Sequence, residues 1–240
     1  MPRFFIDPPA GTTVTLTGDS AAHISKSLRM AVGDVLTLCD GAGTDYAAEI
    51  SAMDRNTVTA EITGRTASIG EPDVRIVLFQ GLPKGDKMDW IVQKAVELGA
   101  AEIVPFAAAR SVSRLDDDGA RKKTARWQKI ADEAAGQCQR GRLPQVAVRV
   151  SYAEALRRAA ACDRIFFCYE GGGAGLRTLL AERPGSVAVF VGPEGGFAPE
   201  EVAQAEAAGA VRVTLGTRIL RTETAPLAAL SAILFATGNL

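Results

Sequence analysis

The chain has 240 residues, 47% of them hydrophobic and 23% charged, with 27 Lys and Arg against 28 Asp and Glu. That is ample for one large or two small cores and argues against a disordered chain. One His and four Cys without a C-x-x-C pair speak against a metal site, and scattered cysteines suit a reducing compartment.

The first seventy or so residues read as short strands joined by turns. Thr12 to Thr17 alternates, Val35 to Cys39 is apolar, and Tyr46 to Ile50 and Thr57 to Ile62 follow Gly- and Asn-containing turns. The pattern predicts a small barrel-like β domain over 1–72, ending at Gly70-Glu71-Pro72. From Val74 the rhythm becomes strand, helix, strand over 73–240. Val74 to Phe79 is a buried parallel-type strand, and Met88, Ile91, Val92, Ala95 and Leu98 then recur at helical spacing before Gly99. Glu102 to Phe106 is the next strand and Arg121 to Cys138 the next helix. Strands Arg164 to Cys168, Val187 to Val191 and Val211 to Leu215 follow, with a helix opened by Pro199 and closed by Gly209 between the last two. Thr224 to Ala236 is an almost uniformly apolar helix that must be buried, under the sheet or in a dimer interface. The alternation predicts an α/β fold with a parallel sheet. Met1-Pro2-Arg3-Phe4-Phe5 starts no continuous apolar leader and no 18-residue apolar span follows, so a soluble cytoplasmic protein is expected.

Two glycine-bearing turns each follow a short apolar strand. Gly192-Pro193-Glu194-Gly195-Gly196-Phe197 comes after Ser186 to Val191, and Leu215 to Ala225 (LGTRILRTETA) after Val211 to Thr214. Such junctions are where open α/β sheets place ligands, because glycine lets backbone groups approach a bound molecule closely. Neither turn is G-x-G-x-x-G and no Walker loop is present. Gly171 to Gly175 fails the dinucleotide pattern at Leu176 and reads as a flexible loop at the mouth of a site, with Tyr169 and Glu170 at its edge.

These two turns resemble the signature of the RsmE family, SPOUT-class methyltransferases of 16S ribosomal RNA. The resemblance continues in order through His23, Leu28-Arg29, Gly33-Asp34, Lys84-Gly85-Asp86-Lys87-Met88-Asp89-Trp90, Lys94, Glu97-Leu98-Gly99, Arg110-Ser111, Arg126-Trp127-Gln128-Lys129 and Gln137-Cys138-Gln139-Arg140. Ala107-Ala108-Ala109 departs from it, where relatives carry polar residues and a Glu. The resemblance implies a trefoil-knotted sheet, a PUA-like first domain, a homodimer, and transfer of a methyl group from S-adenosylmethionine to N3 of a uridine. The cofactor would lie among Tyr169, Glu170, Val191, Gly192, Pro193, Glu194, Gly195, Gly196, Leu215, Gly216, Ile219, Leu220, Thr224 and Ala225, with no metal. A related knotted enzyme acting on ribose 2′-oxygen or a tRNA base, or a non-enzymatic assembly factor, are the alternatives.

Residues 1–72 hold five basic and nine acidic side chains, whereas Arg110 to Arg149 holds ten basic and five acidic. A local basic stretch can contact phosphates, although a solvated helix face explains it too. The candidate RNA contacts are His23, Arg29, Lys84, Arg110, Arg126, Arg140 and Arg142. Methylation at uridine N3 requires proton loss and stabilisation of charge on O2 and O4, a task suited to a guanidinium. Arg221 and Arg218 are the catalytic candidates, with Glu223 or water as proton acceptor.

Overall fold

A computed structural model describes residues 3–111 and 117–240. It divides into two compact units, and the first is not contiguous: Met1–Glu71 is joined by Ala135–Leu143. The second unit is Pro72–Ala134 with Pro144–Leu240. The first break falls between Glu71 and Pro72, and residues 135–143, which the sequence reading placed in the second domain, group with the first unit instead.

In the first unit, β1 (Arg3–Phe5), β2 (Thr13–Thr17), β3 (Val35–Cys39), β4 (Thr44–Met53) and β5 (Thr57–Ala67) form one sheet in the order β1-β3-β4-β5-β2. All pairs are antiparallel except β1 with β3. Period-two patterning sends Leu36, Leu38, Ala48, Ile50, Val58 and Ala60 into one core. Helix α1 (Gly18–Ala22) passes directly into a π-helical turn, His23–Ser27, which buries Ile24. The returning segment is fastened by charge. Arg140, only 4% exposed, donates to Glu71 at 2.7 Å, and Glu71 also accepts from the Gly141 and Arg142 N–H groups.

The second unit holds β6 (Arg75–Gly81), α2 (Lys87–Glu97), β7 (Ala100–Ala107), all but the last three residues of α3 (Asp117–Gln137), β8 (Gln145–Val146), β9 (Val150–Ser151), α4 (Tyr152–Ala159), β10 (Arg164–Cys168), β11 (Ala174–Gly175), α5 (Leu176–Leu179), β12 (Ser186–Val191), α6 (Pro199–Ala207), β13 (Val211–Thr214) and α7 (Ala225–Thr237). Its sheet is parallel throughout, in the order β11-β13-β10-β12-β6-β7-β8, with β9 also on β7. The central strands are buried on both faces, as continuous apolar runs in a parallel sheet must be. Phe79 stacks on Phe190 at 4.6 Å, and Phe197 lies 4.1 Å from Phe167. These rings anchor the first glycine turn to the core.

Helix α4 escaped the periodicity reading, yet Ser151 accepts from the Glu154 N–H at 3.2 Å, so the S-x-x-E start signal was present. The Gly171–Gly175 segment is only partly loop, since Ala174 and Gly175 pair in parallel with Val213 and Thr214. Among the described residues no helix is long and apolar enough to cross a membrane.

Candidate active site

Because β10, β12 and β13 run parallel, Cys168, Val191 and Thr214 end at one edge of the sheet. The residues that follow them wall a cavity of about 570 Å³. Tyr169 and Glu170 come from the end of β10, Gly192 to Phe197 from the end of β12, and Leu215 to Thr222 from the end of β13. Lys87 and Ala225 complete the wall. The size fits a cofactor-sized molecule.

The two turns are tied to each other. Thr222 Oγ1 donates to the Gly192 carbonyl at 2.6 Å and accepts from Gln80 Nε2 at 3.0 Å. Gln80 is fully buried at the end of β6, and its Nε2 also donates to the Gly81 carbonyl. A Cβ at Gly81 would stand 2.6 Å from Pro193 Cδ, so the end of β6 and the first turn approach as closely as backbones can.

Within the first turn the left-handed residue is Gly196, with φ +64, and a Cβ there would meet Glu170 Oε1 at 2.6 Å. Gly195 does not take a positive φ. Its constraint is the Arg110 side chain, whose Cβ would lie 3.0 Å from an added methyl and whose Nη1 donates to the Gly195 carbonyl at 3.2 Å.

Charge gathers at one wall. Lys87 Nζ lies 2.9 Å from Glu194 Oε1 and 3.2 Å from Glu223 Oε2. Partial burial works against the Glu194 charge, but hydrogen bonds from Lys87 and backbone N–H groups outweigh it and hold the carboxyl below its usual range. The hydrogen bond to Glu194 in turn raises Lys87 above the ordinary lysine value. Arg218 and Arg221 line the cavity, are exposed, and have no ion pair among the described residues.

Thirteen of the fourteen expected cofactor residues line this cavity. Thr224 does not: it stands at the N-terminus of α7, where its side chain makes no capping bond. Glu223, the expected proton acceptor, is also absent from the wall, because its carboxylate is turned onto Lys87. Lys84 presents its backbone N–H to Glu194 at 3.1 Å, and Arg126 pairs with Asp89, which also accepts from the Trp127 indole at 3.0 Å. His23 is exposed in the first unit, its ring edge-on to Phe4, and Arg29 is exposed with φ 53. Arg142 is exposed as well. Arg140 is not available to a phosphate, because its guanidinium is buried against Glu71.

Gln80, behind the wall, and Lys87, Phe197 and Thr222, on it, are among the residues to which motif reading gave no role. A lone Gln closing the apolar run Ile76 to Phe79 was the available signal for the first of them, since a buried amide needs partners.

An RNA methyltransferase domain model matches residues 70–234, and an RNA methyltransferase PUA domain model matches residues 16–63. The chain is 38% identical to the ribosomal RNA small subunit methyltransferase E of Bacillus subtilis, covering 99% of this chain and 97% of that protein. The chain belongs to the RsmE family. A second relative of the same name, from Mycobacterium bovis, is 32% identical over 96% of this chain and 90% of its own length. The solved structure of the Neisseria gonorrhoeae RsmE bound to S-adenosyl methionine is 35% identical, with a TM-score of 0.86 over 98% of this chain and 97% of that one. The RNA methyltransferase domain match contains every residue that lines the cavity, and the PUA domain match falls wholly within the first unit.

Proposed function

We propose that this chain transfers a methyl group from S-adenosylmethionine to N3 of a uridine in 16S ribosomal RNA of the small subunit, in the cytoplasm and as a homodimer. The observation that carries the reading is the cavity itself, walled by both turns, with Arg218 and Arg221 in its wall and without an ion pair among the described residues. Its residues fit the cofactor. Backbone N–H and C=O groups of the glycine turns can pair with adenine edges, while Val191, Leu215 and Leu220 offer apolar walls. S-adenosylmethionine, when bound, supplies an electrophilic methyl on a cationic sulfur.

The chain's own part is to bind, orient and stabilise. Arg221 and Arg218 offer donors for charge developing on uracil O2 and O4, and neither must first break an ion pair among the described residues to do so. With Glu223 turned onto Lys87, this reading leaves the proton to solvent water. The RNA grip falls to His23, Arg29, Lys84, Arg110, Arg126 and Arg142.

Two further features belong to this reading. Helix α7, which follows β13, packs on α2 and β12, and that return to the middle of the strand order supports a trefoil-knotted sheet. Trp90 on α2 is 52% exposed, and Phe235 on α7 74%. Ile219, at the cavity wall, is 85% exposed. Apolar side chains left open on packed helices and beside the site suit a second copy of the chain.

The test is methyl transfer to naked 16S RNA and to assembled small subunits, followed by nuclease digestion and mass spectrometry. A methyl on uridine N3 is expected. A methyl on ribose 2′-oxygen, or activity confined to tRNA, would replace the reading with that of a related knotted enzyme.

A further inference from the structure

Lys87 is the first residue of α2, where the free N–H groups of a helix disfavour a cation. Two carboxylates offset that placement, and they come from different turns of the cavity: Glu194 at 2.9 Å and Glu223 at 3.2 Å. Glu194 is held from a second side by the Lys84 N–H. Three segments far apart in the chain therefore meet on one ammonium, and Lys87 and Glu194 both line the cavity. Without that ammonium the two carboxylates would face each other with nothing between them. Arg218 and Arg221, the other cations on the wall, have no carboxylate partner among the described residues and do not share the task.

We propose that Lys87 is a positioning residue for methyl transfer, locking the first turn to the second through Glu194 and Glu223 and so fixing Arg221 at the rim of the cavity. The lock acts by charge. Glu223 lies two residues beyond Arg221, so releasing it frees the segment that presents the guanidinium. The proposal rests on the reading given above for the reaction, while the tie between the turns is measurable through cofactor binding alone.

The experiment uses the full chain carrying Lys87→Met, Lys87→Arg, Glu223→Gln, or Lys87→Met with Glu223→Gln. Calorimetry gives S-adenosylmethionine affinity, single-turnover assays at saturating cofactor give the transfer rate, and the RNA dependence gives KM. Lys87→Met is expected to weaken the cofactor at least fivefold and slow the saturated rate at least tenfold, with KM for RNA within twofold. Lys87→Arg should recover most of both losses. Adding Glu223→Gln to Lys87→Met should recover part, because one of two repelling charges is gone. An unchanged saturated rate in Lys87→Met overturns the proposal. So does a loss that neither Lys87→Arg nor Glu223→Gln relieves, since that marks lost packing rather than lost charge. If the unaltered chain methylates no RNA, the proposed reaction fails, and the pattern of cofactor affinities still decides whether Lys87 ties the turns.

Discussion

Thr222 and Gly192 lie thirty positions apart, yet the hydroxyl of one donates to the carbonyl of the other at 2.6 Å. The same hydroxyl accepts from buried Gln80, so the end of β6 and the two turns are joined through one oxygen. Thr222→Val keeps the shape and removes both bonds. It should lower stability by about 1 to 3 kcal/mol, the cost of leaving buried polar groups unpaired. Thr222→Ser should recover much of that. Urea denaturation of both variants checks the first effect, and calorimetry with S-adenosylmethionine should show weaker binding in the Val variant.

Gly196 carries the left-handed backbone of the first turn and lies against Glu170. Gly196→Ala should strain the backbone by about 1 to 2 kcal/mol and displace the Glu170 carboxylate. Cofactor affinity is expected to fall about tenfold, which corresponds to about 1.4 kcal/mol. A folded variant with full affinity would remove this turn's conformation from the binding site.

Arg221→Ala should leave S-adenosylmethionine and RNA affinities within a few-fold and slow single-turnover transfer about a hundredfold, the usual consequence of losing one donor to a developing oxyanion. Arg218→Ala provides the comparison. If neither variant slows transfer, charge on the uracil is stabilised by another group.

Arg140 and Arg142 should behave oppositely although they are neighbours in the basic stretch. Arg140→Ala breaks a buried ion pair with Glu71 and should cost about 3 kcal/mol of stability. Arg142→Ala should leave stability nearly unchanged. If Arg142 contacts phosphate, its loss should reduce the slope of log affinity against log salt by about 0.7 to 0.9. Thermal melts and RNA titrations at several salt concentrations separate the two.

The apolar final helix leads to a test of self-association. Leu230 is fully buried within its own chain, so a charge there would report on folding. Phe235 is 74% exposed, and Phe235→Glu should leave the fold intact while light scattering shows the dimer giving way to a monomer near 25 kDa. A monomeric parent chain that retains activity would refute the dimer.

Much of this architecture was legible in the chain. Apolar runs such as Val187 to Val191 are unmistakable because a doubly covered parallel strand has no polar face to confuse the pattern. The two turns were legible because their glycines follow such strands directly. Short edge pieces such as β8 and β9 were not, since two residues carry no period. The partners of Lys87, Glu223 and Arg140 were equally hidden. A charge in a sequence looks the same whether it faces water or a carboxylate more than sixty residues away, and only the fold distinguishes them.

The return of Ala135–Leu143 to the first unit has a consequence for the order of events at synthesis. The amino-terminal sheet can pair its strands early, but the Glu71 carboxylate waits for Arg140 and two backbone N–H groups that emerge some seventy residues later. That unit is therefore finished only after more than half the polypeptide has been made, including strands β6 and β7 and helix α3. A fragment cut at residue 72 would be a permanent version of that unfinished nascent state, with an acidic seam open where its closing peptide belongs.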